Sequence, residues 1–161
     1  MQILLQHKQV VVTQGIIDVI RSNETPLITC AHTPDNKVYF YEDQDSIYIE
    51  PALDDTSITI DIANIEENSI KLGFGAISIN AAVSRLSEDI VNTGAIEIVL
   101  PKQSIGELYM KVDAGVIVAD EDLVKVKKIE PNGFEAKFKG DLNNQKINLY
   151  VKAGAILCKI K

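Results

Sequence analysis

Apolar and polar residues alternate along this chain in a pattern that recurs about every 20 residues. In each copy an anchor residue, a glycine in the clearest ones, is followed two positions later by a large apolar residue and four positions later by an uncharged one, and over the whole repeat the residue between these two is mostly polar. Alternation with a period of two is typical of a half-buried β-strand. The clearest copies begin with the tripeptides Gly75-Ala76-Ile77, Gly94-Ala95-Ile96, Gly115-Val116-Ile117 and Gly154-Ala155-Ile156.

The same interval, followed in both directions, gives eight anchor positions. Seven of them are Gly or Asn, the residues that most readily adopt a left-handed backbone conformation. Because seven of the residues three positions earlier are apolar, we interpret the anchors as corners that follow a short strand. The predicted corner column is Gly15, Asn36, Gly75, Gly94, Gly115, Asn132 and Gly154, with Thr56 at the remaining anchor.

The repeat predicts an all-β protein. Each unit has room for two short strands and two turns, β-branched residues dominate, and turn-forming residues such as Pro34-Asp35-Asn36 separate the units. We predict a single-stranded β-solenoid, similar to a β-helix, with about eight coils stacked in chain order and a period near 20 residues. It would form a single domain over residues 1–161. An antiparallel β-sandwich is the alternative, since hairpins produce the same alternation.

One segment also fits a helix. Apolar residues between Ile79 and Ile90 follow helical spacing, with Asn80 as a candidate N-cap. The repeat instead requires a return strand that ends at Val91, and we favour the strand.

Composition and charge limit the partners. The net charge is −7 and the pI is about 4.8, which argues against nucleic acid. No apolar run is long enough for a transmembrane segment, and the first residues lack the features of a signal peptide. We therefore expect a cytoplasmic protein or a fragment of a larger cell-surface protein.

The C-terminal quarter differs from the rest, because residues 121–161 contain more lysines than acidic residues. In a stack that follows chain order, the last coil would end the molecule with an open strand edge and no cap. Lys152, Lys159 and Lys161 would then mark a basic assembly end, able to attract the acidic coils of a second copy.

No catalytic constellation is evident. His7 and His32 do not share a repeat position, no phosphate-binding loop is present, and the acidic pairs lack the spacing of a calcium loop. We therefore predict no enzyme activity, no metal and no cofactor. Tyr39 and Tyr41 should point away from the strand face that holds Val38 and Phe40. With Asp43 and Asp45 they form a candidate recognition patch.

The Gly-Ala-Ile and Gly-Val-Ile corners that follow short strands resemble those of the bacterial "putative adhesin" domains, β-solenoids of largely unknown function. The match is best over residues 69–100, 107–119 and 146–160, and Asn36 and Thr56 stand where the pattern has glycine. The resemblance implies a non-enzymatic interaction module that binds a protein or cell-envelope partner along a repetitive β face. A weaker resemblance to the polymer-forming bactofilins implies the alternative, a structural protein that self-assembles end to end through its terminal coils.

Overall fold

The computed structural model describes residues 1–6, 9–22, 25–31, 33–63, 65, 67–80, 85–143 and 145–161. Secondary structure in this part of the chain is all strand apart from one 3₁₀ turn, Lys102–Ser104. The strands are β1 (Gln2–Leu4), β2 (Gln9–Ile20), β3 (Leu27–Cys30), β4 (Val38–Glu42), β5 (Ser46–Pro51), β6 (Ser57–Asp61), β7 (Glu67–Ile79), β8 (Arg85–Leu100), β9 (Glu107–Ala119), β10 (Lys125–Lys128), β11 (Phe134–Lys139) and β12 (Lys146–Ile160).

Five long strands form the centre of the molecule. They pair in parallel in the order β2, β7, β8, β12, β9, and their registers align five glycines in one row across the sheet. The φ angles of these glycines lie between 134° and 147°, a region that residues with a Cβ rarely adopt. This glycine ladder consists, in spatial order, of Gly15, Gly75, Gly94, Gly154 and Gly115.

The long strands fold over at the glycine ladder. Val12 and Ile17 in β2 are both buried, although residues five positions apart would lie on opposite faces of a flat strand. The strand therefore changes phase at Gly15, and both halves direct alternate residues into the same core. We call the half before each glycine the N-limb and the half after it the C-limb.

The core lies between the two limbs and is built largely from rows of identical residues. On the C-limbs, the positions two residues after the ladder glycines are all isoleucine and are buried. Val12, Leu72, Val91, Val151 and Val112 form the corresponding row on the N-limbs. Full burial of one such side chain stabilises the fold by roughly 1.5–3 kcal/mol. The C-limb row is Ile17, Ile77, Ile96, Ile156 and Ile117.

Shorter strands extend the two limbs differently. The N-limb layer runs β4-β5-β2-β7-β8-β12-β9-β11-β10, and the C-limb layer runs β1-β3-β6-β2-β7-β8-β12-β9. The terminal strands β1, β4 and β10 pair antiparallel with their neighbours, whereas β9 ends the C-limb layer in parallel pairing with β12. The sheet is therefore mixed, and the two layers end in different strands.

The strand order differs from the predicted stack in chain order. β6, which follows the Thr56 anchor, lies beyond β2 rather than between β2 and β7, and β12 is inserted between β8 and β9. The physical reason is that strands with near-identical sequences pair with one another almost equally well. The repeat alone therefore does not predict which strand lies next to which. In the segment for which a helix was the alternative, β8 begins at Arg85 as a strand, and residues 81–84 lie outside the described residues.

The prediction that the chain ends in an open strand edge is wrong. β12 is paired with β8 on one side and with β9 on the other, so its backbone groups are used in two ladders. Lys152, Lys159 and Lys161 are exposed side chains on or just after a central strand and do not border an open strand edge.

Candidate binding surface

Most of the predicted corner column gathers along one line. The five glycines form the ladder, and Thr56 lies at its end, where its carbonyl oxygen accepts a hydrogen bond from Ile16 N–H. A Cβ placed on any of the four glycines other than Gly15 would lie 1.7 or 1.8 Å from the carbonyl oxygen of the adjacent glycine. The column is thus a close backbone contact that leaves no space for a side chain.

The two asparagines of the column do not lie in the ladder. Asn36 is buried in a turn, where its side chain donates to Thr56 Oγ1 and Ala31 C=O and accepts from Leu53 N–H. Asn132 is an exposed turn residue, and the positive φ at that corner belongs to Gly133. Asn36 therefore supports the end of the ladder through side-chain hydrogen bonds, and the corner assignment at Asn132 is off by one residue.

All five tyrosines of the chain stand on one surface, the outer face of the N-limb layer. Each alternates with residues directed inward: Tyr48 lies between buried Ile47 and Ile49, and Tyr150 lies between Leu149 and Val151. Strand registers place Tyr41, Tyr48 and Tyr150 in one row across nine strands, roughly 38 Å long at the usual strand spacing. The row reads Tyr41, Tyr48, Val11, Lys71, Ile90, Tyr150, Lys111, Glu135, Lys127. We call this surface the tyrosine face.

Four of the five phenols donate a hydrogen bond to a carboxylate. Tyr41 OH donates to Glu50 at 3.3 Å and Tyr48 OH to Asp43 at 3.2 Å. At the other end of the face, Tyr109 OH donates to Glu135 at 3.0 Å, and Tyr150 OH donates to Asp113. These bonds fix the ring tips and leave ring surface available to a partner.

Three of these phenols have a raised pKa. The hydrogen bond to Asp113, with some desolvation, raises the pKa of Tyr150. Desolvation and the hydrogen bond to Glu135 raise the pKa of Tyr109. Local desolvation and the Glu50 carboxylate raise the pKa of Tyr41. The face therefore presents neutral hydroxyl donors beside fixed negative charges.

The predicted recognition patch lies on the β4–β5 hairpin, at one end of this face. Tyr39 and Tyr41 are 63% and 50% exposed, and the Tyr41 ring stacks on Tyr48 with centroids 4.6 Å apart. Asp43 accepts hydrogen bonds from the backbone N–H groups of Asp45 and Ser46. The carboxylate of Asp43 thus shapes the hairpin turn, whereas Asp45 is an exposed turn residue.

The other end of the face combines tyrosine with lysine. Lys111 lies 5.3 Å from the centre of the Tyr150 ring, and Lys137 lies 5.9 Å from the centre of the Tyr109 ring, both within cation–π range. In both pairs the two residues are cross-strand neighbours. Tyr109 and Lys137 also line a shallow groove of about 500 Å³, together with Lys139, Lys146 and Asn148.

Analysis of the sequence missed Tyr48, Glu50, Tyr109 and Tyr150 as parts of this surface. The available signal was the alternation itself, since each of these tyrosines is flanked by buried apolar residues. The alternation shows that a residue points outward, but it does not show which outward residues become neighbours.

Other candidate sites are sparse within the described residues. They contain no group of three or more His, Cys, Asp or Glu side chains placed to hold a metal ion. Nor do they contain a helix that is long and apolar enough to span a membrane. His7 and His32 lie outside the described residues. Cys30 and Cys158 are buried free thiols.

No protein-family model matches the sequence, and no curated protein matches it. Among solved structures, the chain is similar to a "putative cell adhesion protein" from Clostridium sporogenes, with 14% identity, a TM-score of 0.46, and coverage of 100% of this chain and 98% of that one. A "putative adhesin" from Parabacteroides merdae is 10% identical, with a TM-score of 0.32 over 74% of this chain and 59% of the other. A "putative adhesin" from Bacteroides fragilis is 7% identical, with a TM-score of 0.29 over 98% and 95%.

Proposed function

We propose that this protein is a non-enzymatic binding module that engages a protein or cell-envelope partner through its tyrosine face. The observation that carries the proposal is the placement of all five tyrosines on one outer surface, three of them in a single row. Tyrosine is favoured at interfaces because it supplies a large contact area at a low cost in conformational entropy.

The contrast with the opposite layer supports this assignment. On the outer face of the C-limbs, the row beside the ladder is Ile16, Ala76, Ala95, Ala155 and Val116, and the next row is Asp18, Ser78, Glu97, Leu157 and Val118. These two rows contain no aromatic residue, and aromatic contacts contribute strongly to binding energy at interfaces. The tyrosine face also carries both carboxylates and lysines, so it can pair with polar groups of either sign.

The phenol–carboxylate bonds add preorganisation. A ring held by its hydroxyl group loses less conformational freedom on binding than a free one, which leaves more of the contact energy as affinity. A face nine strands wide suits an extended or repetitive partner, as on a cell envelope, better than a small molecule. An adhesin-like role follows from these properties.

The test is co-sedimentation of the purified protein with a cell-envelope fraction of its source organism. We expect replacement of Tyr48 and Tyr150 by serine to weaken binding at least about tenfold, because buried interface aromatics usually contribute more than 1 kcal/mol each. Val118→Ser is the matched control, since Val118 is 54% exposed on the outer face of a C-limb. Equal binding by all three proteins, or equal loss in both variants, would refute the assignment of the face.

Treatment of the envelope fraction identifies the partner class. Protease digestion removes a protein partner, whereas periodate oxidation removes a carbohydrate partner. If only one of the two treatments abolishes the tyrosine-dependent binding, that treatment identifies the partner as a protein or as a carbohydrate. Circular dichroism and urea unfolding of each variant check that the fold is retained.

A further inference from the structure

The N-limb layer has two open ends in the described part of the chain. At one end β4 is paired only with β5. Asp43 N–H donates to Ser46 C=O, and Ala52 N–H donates to Lys37 C=O. Because bonded pairs alternate along an antiparallel ladder, the backbone groups of Tyr39 and Tyr41 point toward β5, and those of Val38 and Phe40 point outward. β4 therefore offers free N–H and C=O groups to another strand.

The other end has the same property at β10, which is paired only with β11 among the described residues. Ile129 N–H donates to Gly133 C=O. The alternation then directs the backbone groups of Lys125 and Lys127 toward β11 and those of Val126 and Lys128 outward. β10 is thus a second open edge.

The two edges carry opposite charge. Around β4 the acidic residues Glu42, Asp43, Asp45 and Glu50 are exposed or half-buried, and they outnumber the exposed lysine directly before the strand, Lys37. β10 has the sequence Lys-Val-Lys-Lys, and all four of its residues are exposed. Two β4 edges would repel each other, as would two β10 edges, because like charges directly opposite are destabilising. Only a β4 edge facing a β10 edge is electrostatically complementary.

The side chains are complementary as well. Within one molecule, Lys111 lies over Tyr150 and Lys137 lies over Tyr109, each pair joining neighbouring strands of the tyrosine face. One end of the N-limb layer supplies the tyrosines for such a pair, and the other end supplies the lysines. Tyr39 and Tyr41 stand on β4, and Lys125 and Lys127 stand on the same outer face of β10.

We infer that β10 of one copy adds to β4 of the next and extends the N-limb layer head to tail. β10 runs parallel to β2, and β4 runs antiparallel to it, so a second copy in the same orientation presents its β4 antiparallel to β10. In one register, Val126 exchanges backbone hydrogen bonds with Phe40 of the next copy. Lys125 and Lys127 then lie opposite Tyr41 and Tyr39 of that copy.

This contact is heterologous, so it leaves a free β4 at one end and a free β10 at the other and produces open chains rather than closed dimers. It differs from the predicted assembly through terminal coils, because β12 is central and the edges belong to internal segments. The strands that meet are four and five residues long, so each contact is weak. Assembly should require high protein concentration and decrease with salt, which screens the exposed charges.

The decisive experiment uses two half-blocked variants. Val126→Pro removes an N–H that has no partner in β10, and Phe40→Pro does the same in β4, so neither breaks an internal ladder bond. Sedimentation velocity at low salt should show chains for the natural sequence and monomers for each variant alone. Mixed together, the two variants should form a one-to-one dimer, since each retains the edge that the other needs.

Charge variants provide an independent test in case proline disturbs an edge strand. Replacement of Lys125 and Lys127 by glutamate should weaken association on the order of tenfold or more. A copy with Tyr39→Lys should restore binding to that variant. Replacement of Lys152 and Lys159 by glutamate is the matched control, because it makes the same charge change on central strand β12 and should leave association unchanged. A protein that is monomeric at high concentration and low salt, a closed symmetric dimer, or a mixture that stays monomeric would overturn the inference.

Discussion

The centre and the ends of this molecule are built differently. In the centre, five parallel strands are locked in register by a row of glycines whose backbones leave no space for a Cβ. At the ends, strands of three to six residues pair antiparallel and expose lysines and aromatic rings. The comparison indicates that backbone contacts specify the fold in the centre, whereas the ends are covered by exposed side chains that can change without loss of the fold.

The largest effect should come from the ladder itself. The Cβ of Gly94→Ala would lie 1.7 Å from Gly75 C=O, at a φ of 141°. The strands would have to separate, so we expect a loss of more than about 4 kcal/mol in the free energy of unfolding, or no folded protein. Gly15→Ala is the matched comparison, because its φ is similar and its Cβ would lie 2.9 Å from Thr56 C=O. Gly15→Ala should lower the free energy of unfolding by about 1–3 kcal/mol.

Urea unfolding of the two alanine variants compares a severe clash between strands with a milder one at a similar positive φ. Equal losses would mean that the positive φ alone sets the requirement for glycine and that the close approach of strands is unimportant.

The second prediction compares the stability lost by a substitution in the core with that lost by a substitution on an edge strand. Ile96 is fully buried in the isoleucine row, whereas Val126 is 38% exposed on β10. We expect Ile96→Ala to lower the free energy of unfolding by about 2–5 kcal/mol through lost burial and the cavity that remains. Val126→Ala should change it by less than about 0.5 kcal/mol, as is usual for surface sites. Chemical denaturation measures both, and a large loss for Val126→Ala would show that β10 is part of the cooperative core.

The third effect concerns the junction between centre and end. Asn36 is buried and makes three side-chain hydrogen bonds, one of them to Thr56 beside the ladder at 2.8 Å. Asn36→Ala would leave buried donors and acceptors without partners and should cost about 1–3 kcal/mol. Hydrogen exchange of the Leu53 amide is the local readout, since that N–H loses its acceptor. Unchanged protection of Leu53 would contradict the assigned role.

The smallest expected effect is a difference in the rate at which the two buried thiols are chemically modified. Burial raises the pKa of Cys158 to about 11 from the ordinary 9.0, and burial also raises that of Cys30. At pH 8 the Cys158 thiolate should be about a hundredfold rarer than that of a free thiol, so modification by iodoacetamide should be correspondingly slow. Cys30 lies on β3, next to the terminal strand β1, and should react first through local opening of this end of the C-limb layer.

The pH dependence of stability has a definite sign. The folded state favours the neutral Cys158 thiol, so its contribution is fully present below the unfolded pKa near 9 and is lost as the pH rises toward 11. Mass spectrometry of the modified peptides follows the two thiols separately. Faster labelling of Cys158 than of Cys30 would reverse the proposed order of opening.

The outward direction of Tyr39 and Tyr41 followed from their positions beside Val38 and Phe40, and the structure places both rings on the outer face. Their partners Tyr48 and Glu50 could not be derived, because the pairing of β4 with β5 depends on the turn shaped by Asp43. The lysines of β12 illustrate the opposite case. Position near the end of the chain suggested an edge, and the structure places the strand in the centre.

The amino-acid sequence alone determined the all-β character, the alternation of buried and exposed residues, and the glycine corners, because these depend on local steric limits and on the period of a strand. Only the tertiary structure decided that β12 lies between β8 and β9 and that, among the described residues, β4 and β10 form the open edges of the N-limb layer. The physical reason is that the repeats pair almost equally well with one another. Their order is set by the lengths and paths of the connections, and the sequence pattern does not contain that information.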